Sequence, residues 1–219
     1  MFTSLFHFFL PIDGAAAQWA AQVFHPGSNP FWDSVFSFIT RFGDGGVFWV
    51  ALGLLLLLPN KTRKAGCVVL GAMALDVLLT NGLLKHLFNR PRPYDIDFAA
   101  YARDYLYPGL THKPGDASFP SGHTAASFAG AFGLLFGARL AGKKAGFLGW
   151  AMVALAALVG FSRLYLGVHY LTDILAGALV GVLCALLAVL CLRLLEPLYE
   201  KINAPVAKFV EKHAPKVLK

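Results

Sequence analysis

HYLTDILAGALVGVLCALLAVLCLRL, residues 169–194, reads as a membrane-crossing helix with chemistry at one end. No charged residue interrupts it from Ile174 to Leu192, and it exceeds the ~20 residues a helix needs to cross ~30 Å of hydrocarbon. Its polar groups sit at the ends, His169 and Asp173 before the apolar run and Arg193 after it. The rest of the chain has the same character. Of its 219 residues, 57% are hydrophobic and 14% charged, too apolar a balance to keep a soluble domain's surface wet. Apolar runs place further spans at about 45–60, 64–84, 122–140 and 145–166, the first of them short. The predicted fold class is all-α: a polytopic membrane helical bundle with five or six transmembrane helices.

The flanks divide the chain into three parts. Residues 1–43 are expected to form two short amphipathic helices, Gly14 to Phe24 and Pro30 to Phe42, parted by Pro26-Gly27. They either lie on the membrane or hide a sixth span. Met1 to Leu10 is apolar without a basic leader and is expected to stay on the mature protein. Residues 44–195 form the bundle, and 196–219 a basic tail on the cytoplasmic side. Asn89 to Phe119, with six prolines and glycines among its turn signals, is a long loop, a form that is usually functional when ordered.

Following the spans back and forth brings Lys85, Arg92, the Pro120-Ser121-Gly122-His123 string, Arg163, His169 and Asp173 to one membrane face. The opposite face carries Lys61, Arg63, Lys64, Arg139, Lys143, Lys144, Arg193 and five tail lysines, twelve of the 19 basic residues. By the positive-inside rule the motif face lies outside the cytoplasm. The net charge of +7 is explained by juxtamembrane anchoring, so nucleic acid is not an expected partner. Cys67, Cys184 and Cys191 lie within apolar runs and read as small hydrophobes, not as a disulfide or zinc framework.

The residues gathered on the motif face suit an anionic phosphoryl group. Arg92 and Arg163 offer planar forks for phosphoryl oxygens, and Lys85 a compact charge. Ser121 and Gly122 begin a helix, where backbone amides and the Ser121 hydroxyl can point at an anion. His169 and Asp173 are four residues apart on one helix face, separated by roughly 6 Å of rise. Asp173 can therefore hold one ring nitrogen and leave the other free to attack phosphorus. His123, from another helix, can protonate the leaving group and later activate water. Taken singly, each cation could be a snorkelling side chain and the Pro-Ser-Gly turn an ordinary cap; the joint pattern favours chemistry. His86 and His112 fit no role. Asp76, about 2.5 α-helical turns from Lys85, is expected to hydrogen-bond Thr80 or Asn81 and to stand outside the site. No metal is expected, because no run has ligand spacing and the cations would repel a divalent ion.

These strings resemble the type 2 phosphatidic acid phosphatase family, the membrane branch of a superfamily that includes bacterial acid phosphatases and vanadium haloperoxidases. The family signature is a lysine, six residues and Arg-Pro, here Lys85 to Arg92-Pro93. Pro-Ser-Gly-His follows at 120–123, then Ser-Arg, five residues, histidine, three residues and aspartate, here Ser162-Arg163 to His169 and Asp173. The resemblance covers roughly Leu70 to Leu190. It implies metal-independent dephosphorylation of a lipid phosphate without a cofactor. His169 would be the nucleophile, Asp173 its orienting group and His123 the acid, with Lys85, Arg92, Ser121, Gly122 and Arg163 holding phosphate. Orientation favours undecaprenyl diphosphate as substrate, with phosphatidylglycerol phosphate and phosphatidic acid as alternatives. Phosphotransfer to a lipid acceptor, or non-catalytic lipid-phosphate binding or transport, are the other readings.

Overall fold

The computed structural model describes residues 2–24, 30–95, 114–144 and 146–213. Among these residues the chain is helical with no strand. In order come α1 (Phe2–Phe24), α2 (Pro30–Thr40), a 3-10 turn (Arg41–Gly46), α3 (Val47–Leu57), α4 (Arg63–Asp76), a π-helical segment (Val77–Leu84) and α5 (Lys85–Phe88). Then follow α6 (Gly122–Leu140), α7 (Gly146–Tyr165), α8 (Leu171–Leu194) and α9 (Glu196–His213).

Among the described residues, four stretches are long and apolar enough to cross a membrane: Pro30–Leu57, Arg63–Phe88, Gly146–Tyr165 and Leu171–Leu194. The protein is an all-α membrane bundle. Large apolar side chains such as Leu54, Leu55, Leu148, Trp150, Leu179 and Leu183 stand exposed along these helices, as a bilayer solvent requires.

α6 occupies the middle, against α4, α7 and α8. Its inward residues are small: Ala125, Ala129, Gly130, Gly133 and Gly137 are all buried. Small residues let backbones approach, which is how helices associate where lipid removes the hydrophobic drive. Gly177 and Gly181 of α8, four residues apart, lie against the α6 backbone. A Cβ on Gly177 would come within 2.6 Å of the Ser121 carbonyl oxygen. The close seam has a functional consequence, because it holds the start of α8 beside the start of α6.

The N-terminal reading needs correction. The helix expected at Gly14 to Phe24 runs the full 23 residues from Phe2, with Pro11 inside it, and packs on α7 and α8. It carries a buried acid, Asp13, which lowers its apparent hydropathy without ending it. Likewise the short span expected at 45–60 begins at Pro30; the polar Arg41 and Asp44 interrupt its hydropathy at the 3-10 turn, where Gly45 and Gly46 take positive φ of 56° and 67°. Most of the long loop, 96–113 with His112 and Tyr101, Tyr105 and Tyr107, lies outside the described residues. The expected basic tail is helical over Glu196–His213, tied back by Lys64 Nζ to Glu196 at 2.6 Å and Glu200 at 3.4 Å.

Candidate active site

One cavity of about 210 Å³ is lined by Lys85, Arg92, Gly122, His123, Arg163 and His169, six of the eight residues predicted for the site. They come from α5, the irregular segment after it, the start of α6, the end of α7 and the turn before α8. Residues as distant in sequence as Lys85 and His169 thus line one cavity.

His169 is 1% exposed. Arg92 Nη1 lies 3.2 Å from His169 Nε2. A guanidinium can only donate, so Nε2 is the accepting, unprotonated nitrogen and the proton resides on Nδ1. That nitrogen faces Asp173 Oδ2 and Ser118 Oγ, each at 3.4 Å. Burial, followed by the charges of Arg92, Arg163 and Lys85, holds the ring well below the usual 6.5. The imidazole is neutral at physiological pH with its lone pair toward the cations.

Asp173, fully buried, is itself firmly held. Its Oδ1 accepts from Arg90 Nη1 at 2.6 Å, and its Oδ2 from Ser118 Oγ at 2.5 Å and the Tyr170 amide at 3.0 Å. Arg163 donates through Nη1 to Thr40 Oγ1 at 2.8 Å, while its buried Nε has no hydrogen-bond partner among the described residues. Arg163 lines the cavity, and a guanidinium there suits an anion. His123 Nε2 pairs with Asp44 Oδ1 at 2.8 Å.

Ser121 and Asp173 are brought close but do not line the cavity. The Ser121 amide donates to the Asp173 carbonyl at 3.0 Å, and its hydroxyl accepts from Thr124 at 2.9 Å. The Ser121 amide is therefore engaged within the protein, where the sequence had suggested an anion donor. It joins the start of α6 to the start of α8.

Residues 65–196 match the PAP2 superfamily. The chain belongs to that superfamily. Undecaprenyl-diphosphatase BcrC of Bacillus subtilis is 30% identical over 159 residues, 73% of this chain and 74% of that protein. A lipid A 4'-phosphatase of Porphyromonas gingivalis is 34% identical over 160 residues, 71% of this chain and 64% of that protein. Among solved structures, Aquifex aeolicus LpxE superposes with a TM-score of 0.60 at 28% identity, covering 78% of this chain and 92% of that one. A PAP2-type phosphatidylglycerolphosphate phosphatase from Bacillus subtilis gives 0.58 at 29% identity, covering 85% and 93%. With its apolar helices, this PAP2 member is a multi-pass membrane protein.

The PAP2 motifs account for the cavity's chemistry but not for several groups around it. Arg90, 3% exposed, bridges Asp173 to Asp13 of α1 with Nη2 at 2.8 Å from Asp13 Oδ2, and lies over the Tyr170 ring at 3.7 Å. Asp13 also accepts from the Thr172 amide and hydroxyl at 2.9 Å each. Asp116 is held by Lys85 Nζ and by Arg92 Nη2 at 2.6 Å, and the Arg92 Nε donates to its carbonyl at 2.8 Å. Burial tends to raise the Asp116 pKa, but the Lys85 hydrogen bond and the charges of Lys85 and Arg92 prevail and bring it down to about 2. Of these groups only Arg90 carried a signal in sequence, its place beside Arg92. Asp13, Thr40, Asp44, Asp116 and Ser118 carry none, since each is identified by contact with a distant residue.

Proposed function

We propose that this PAP2 protein is a membrane lipid phosphatase that removes the terminal phosphate of undecaprenyl diphosphate at the outer face of the inner membrane, through a phosphohistidine on His169. One observation carries the reading: His169 presents an unprotonated Nε2 to a cavity ringed by Arg92, Arg163 and Lys85. The relatives named undecaprenyl-diphosphatase in Bacillus subtilis and Sulfolobus acidocaldarius support the substrate. The basic residues gathered at the end of the bundle away from the cavity support the orientation.

In this scheme the cations bind the phosphoryl oxygens and neutralise charge that builds in the five-coordinate transition state. Nε2 forms a bond to phosphorus as the bond to the leaving oxygen breaks. Nδ1–H faces Asp173, which stabilises the growing positive charge on the ring. His123 gives its proton to the leaving oxygen. Water then attacks the phosphohistidine and yields its proton to His123, releasing inorganic phosphate and restoring His169. Ser121 supports the start of α6 and Gly122 keeps the cavity wall clear. The scheme requires no metal, since three fixed cations supply the charge a divalent ion would bring.

The test is phosphate release by detergent-purified protein, with chelator present, from undecaprenyl diphosphate, phosphatidylglycerol phosphate and phosphatidic acid. His169→Ala should abolish release and vanadate should inhibit it. Fastest turnover of the diphosphate is expected; a faster monoester would reassign the substrate. Absence of release from all three, with folded protein, would sink the hydrolase reading.

A further inference from the structure

Asp76 is a carboxylate that the proposed reaction leaves unused, 2% exposed and inside a membrane-crossing helix. An ionisable group at such a place is costly and by default points to function. Thr80 Oγ1 donates to Asp76 Oδ1 at 2.7 Å, which accounts for one oxygen. The helix geometry determines where the side chain stands. Nine residues separate Asp76 from Lys85, about 2.5 turns of α-helix, which would put them on opposite faces. Between them lies the π-helical segment Val77–Leu84, whose i→i+5 bonding takes about one more residue per turn. The same nine residues then make about two turns and return to one face. Asp76, Val77, Asn81 and Lys85 accordingly all line the catalytic cavity.

The cavity extends further than a phosphate needs. Besides Lys85, Arg92, Arg163 and His169, its lining includes Asp76 together with Met73, Gly46 and Ala126. Asp76 lies deeper along the span than Lys85, by at most about 13 Å. Gly45, Val77 and Asn81 are exposed and form the rim between the 3-10 turn and the π-helical segment. The alcohol portion of a lipid phosphate is tethered to chains in the bilayer, so it lies on the bilayer side of the phosphorus, where Asp76 and Asn81 stand.

We infer that Asp76 and Asn81 form a specificity-determining subsite for the alcohol portion of the substrate, binding a hydroxyl beside the phosphate ester as in a glycerol- or sugar-linked phosphomonoester. A carboxylate accepts hydrogen bonds only, and the amide both donates and accepts. A bare diphosphate offers Asp76 no donor, and an ammonium group would be repelled by Lys85 on the same face. The inference rests on the phosphatase reading of the cavity and assigns to two residues the choice of a hydroxyl-bearing monoester over a bare diphosphate.

Calorimetry on the full chain in detergent tests this with sn-glycerol 3-phosphate and methyl phosphate, which share a phosphate ester and differ in hydroxyls. Asp76→Asn keeps an oxygen for the Thr80 hydroxyl and so retains the local fold. Wild type is expected to bind the glycerol ester about tenfold tighter, the effect of one hydrogen bond to a charged group. Asp76→Asn should reduce that preference to about twofold and leave methyl phosphate binding unchanged, and Asn81→Ala should act in the same direction more weakly. No preference in wild type would overturn the inference. So would equal weakening of both ligands, which would make Asp76 a support for Lys85. Repeating both titrations in the His169→Ala background, which keeps the binding groups, makes the outcome independent of turnover. Phosphate release abolished by His169→Ala, beside an unchanged binding preference in Asp76→Asn, would sink the subsite and leave the phosphatase standing.

Discussion

The motif-bearing helices and the N-terminal segment contribute to the same cavity in different ways. The former supply groups that can bind or attack phosphorus: Lys85, Arg92, His123, Arg163 and His169. The latter supplies their partners: Asp13 beneath Arg90, Thr40 on Arg163 and Asp44 on His123. One region carries reactive chemistry, and the other fixes the direction in which that chemistry faces. If this division is right, substitutions in the first should abolish turnover, and those in the second should weaken it through geometry.

The largest effect is expected at His169. Its replacement by alanine should lower kcat by at least about 10³-fold, as for other covalent nucleophiles, with phosphate-analogue binding retained. The same residue yields a pH test. Because its pKa is lowered, His169 stays unprotonated as pH falls through 6.5, and activity should persist below that point. Arg92→Gln removes one of the charges responsible, so the acid limb of its normalised pH profile should move to higher pH. A limb near 6.5 in wild type would mean that the ring is not held by these cations.

Asp13→Ala comes next and tests the partner region. Asp13 and Arg90 form an ion pair with both side chains at most 2% exposed, and removing one member of such a pair typically costs about 3–5 kcal/mol. Thermal unfolding in detergent should show that loss. Arg90, released from α1, should hold Asp173 less firmly and lower kcat about tenfold with KM little changed. An unchanged kcat in a destabilised protein would make α1 a brace for the bundle and nothing more.

These partners explain how far the sequence could be read. Helix-forming apolar runs and three motifs with fixed spacing are local, so the bundle and six cavity-lining residues were legible. Asp13, Asp44 and Asp116 belong to no spacing; only the folded chain shows that each meets a cation or histidine far along it. Arg41 and Asp44 interrupted a hydropathy profile and hid the continuity from Pro30 to Leu57. Asp76 meets its expected partner Thr80, but its place on the cavity wall was hidden for another reason. Val77–Leu84 is compatible with an α-helix by composition, and the extra residue per turn that swings Asp76 to the Lys85 face is a hydrogen-bonding choice invisible in a string of leucines.

Asp44→Asn should give a smaller loss. Asp44 is 61% exposed at its side chain, so its bond to His123 competes with water. A fall of about threefold to tenfold in kcat is expected, within the usual contribution of an acid–base catalyst's partner. It should be largest for substrates with an alkoxide leaving group, which need the proton most. A diphosphate, whose leaving group is already a weaker base, should be affected less.

The smallest effect is expected to run in the opposite direction. Asp116 places a carboxylate on Lys85 and Arg92, the two cations that the proposed substrate also needs. With its pKa brought down to about 2, that carboxylate remains charged throughout any working pH range, so acid does not release the cations above about pH 3. A phosphate must displace it. Asp116→Asn should therefore tighten vanadate inhibition and lower KM about threefold, a gain kept modest because half-exposed ion pairs contribute little. It should leave the pH at which His169 titrates nearly unchanged, since Asp116 is not in contact with that ring. If Asp116→Asn instead raised KM, the carboxylate would be orienting Lys85 and Arg92 toward phosphate, and Asp116 would belong with Asp13 and Asp44 among the partners.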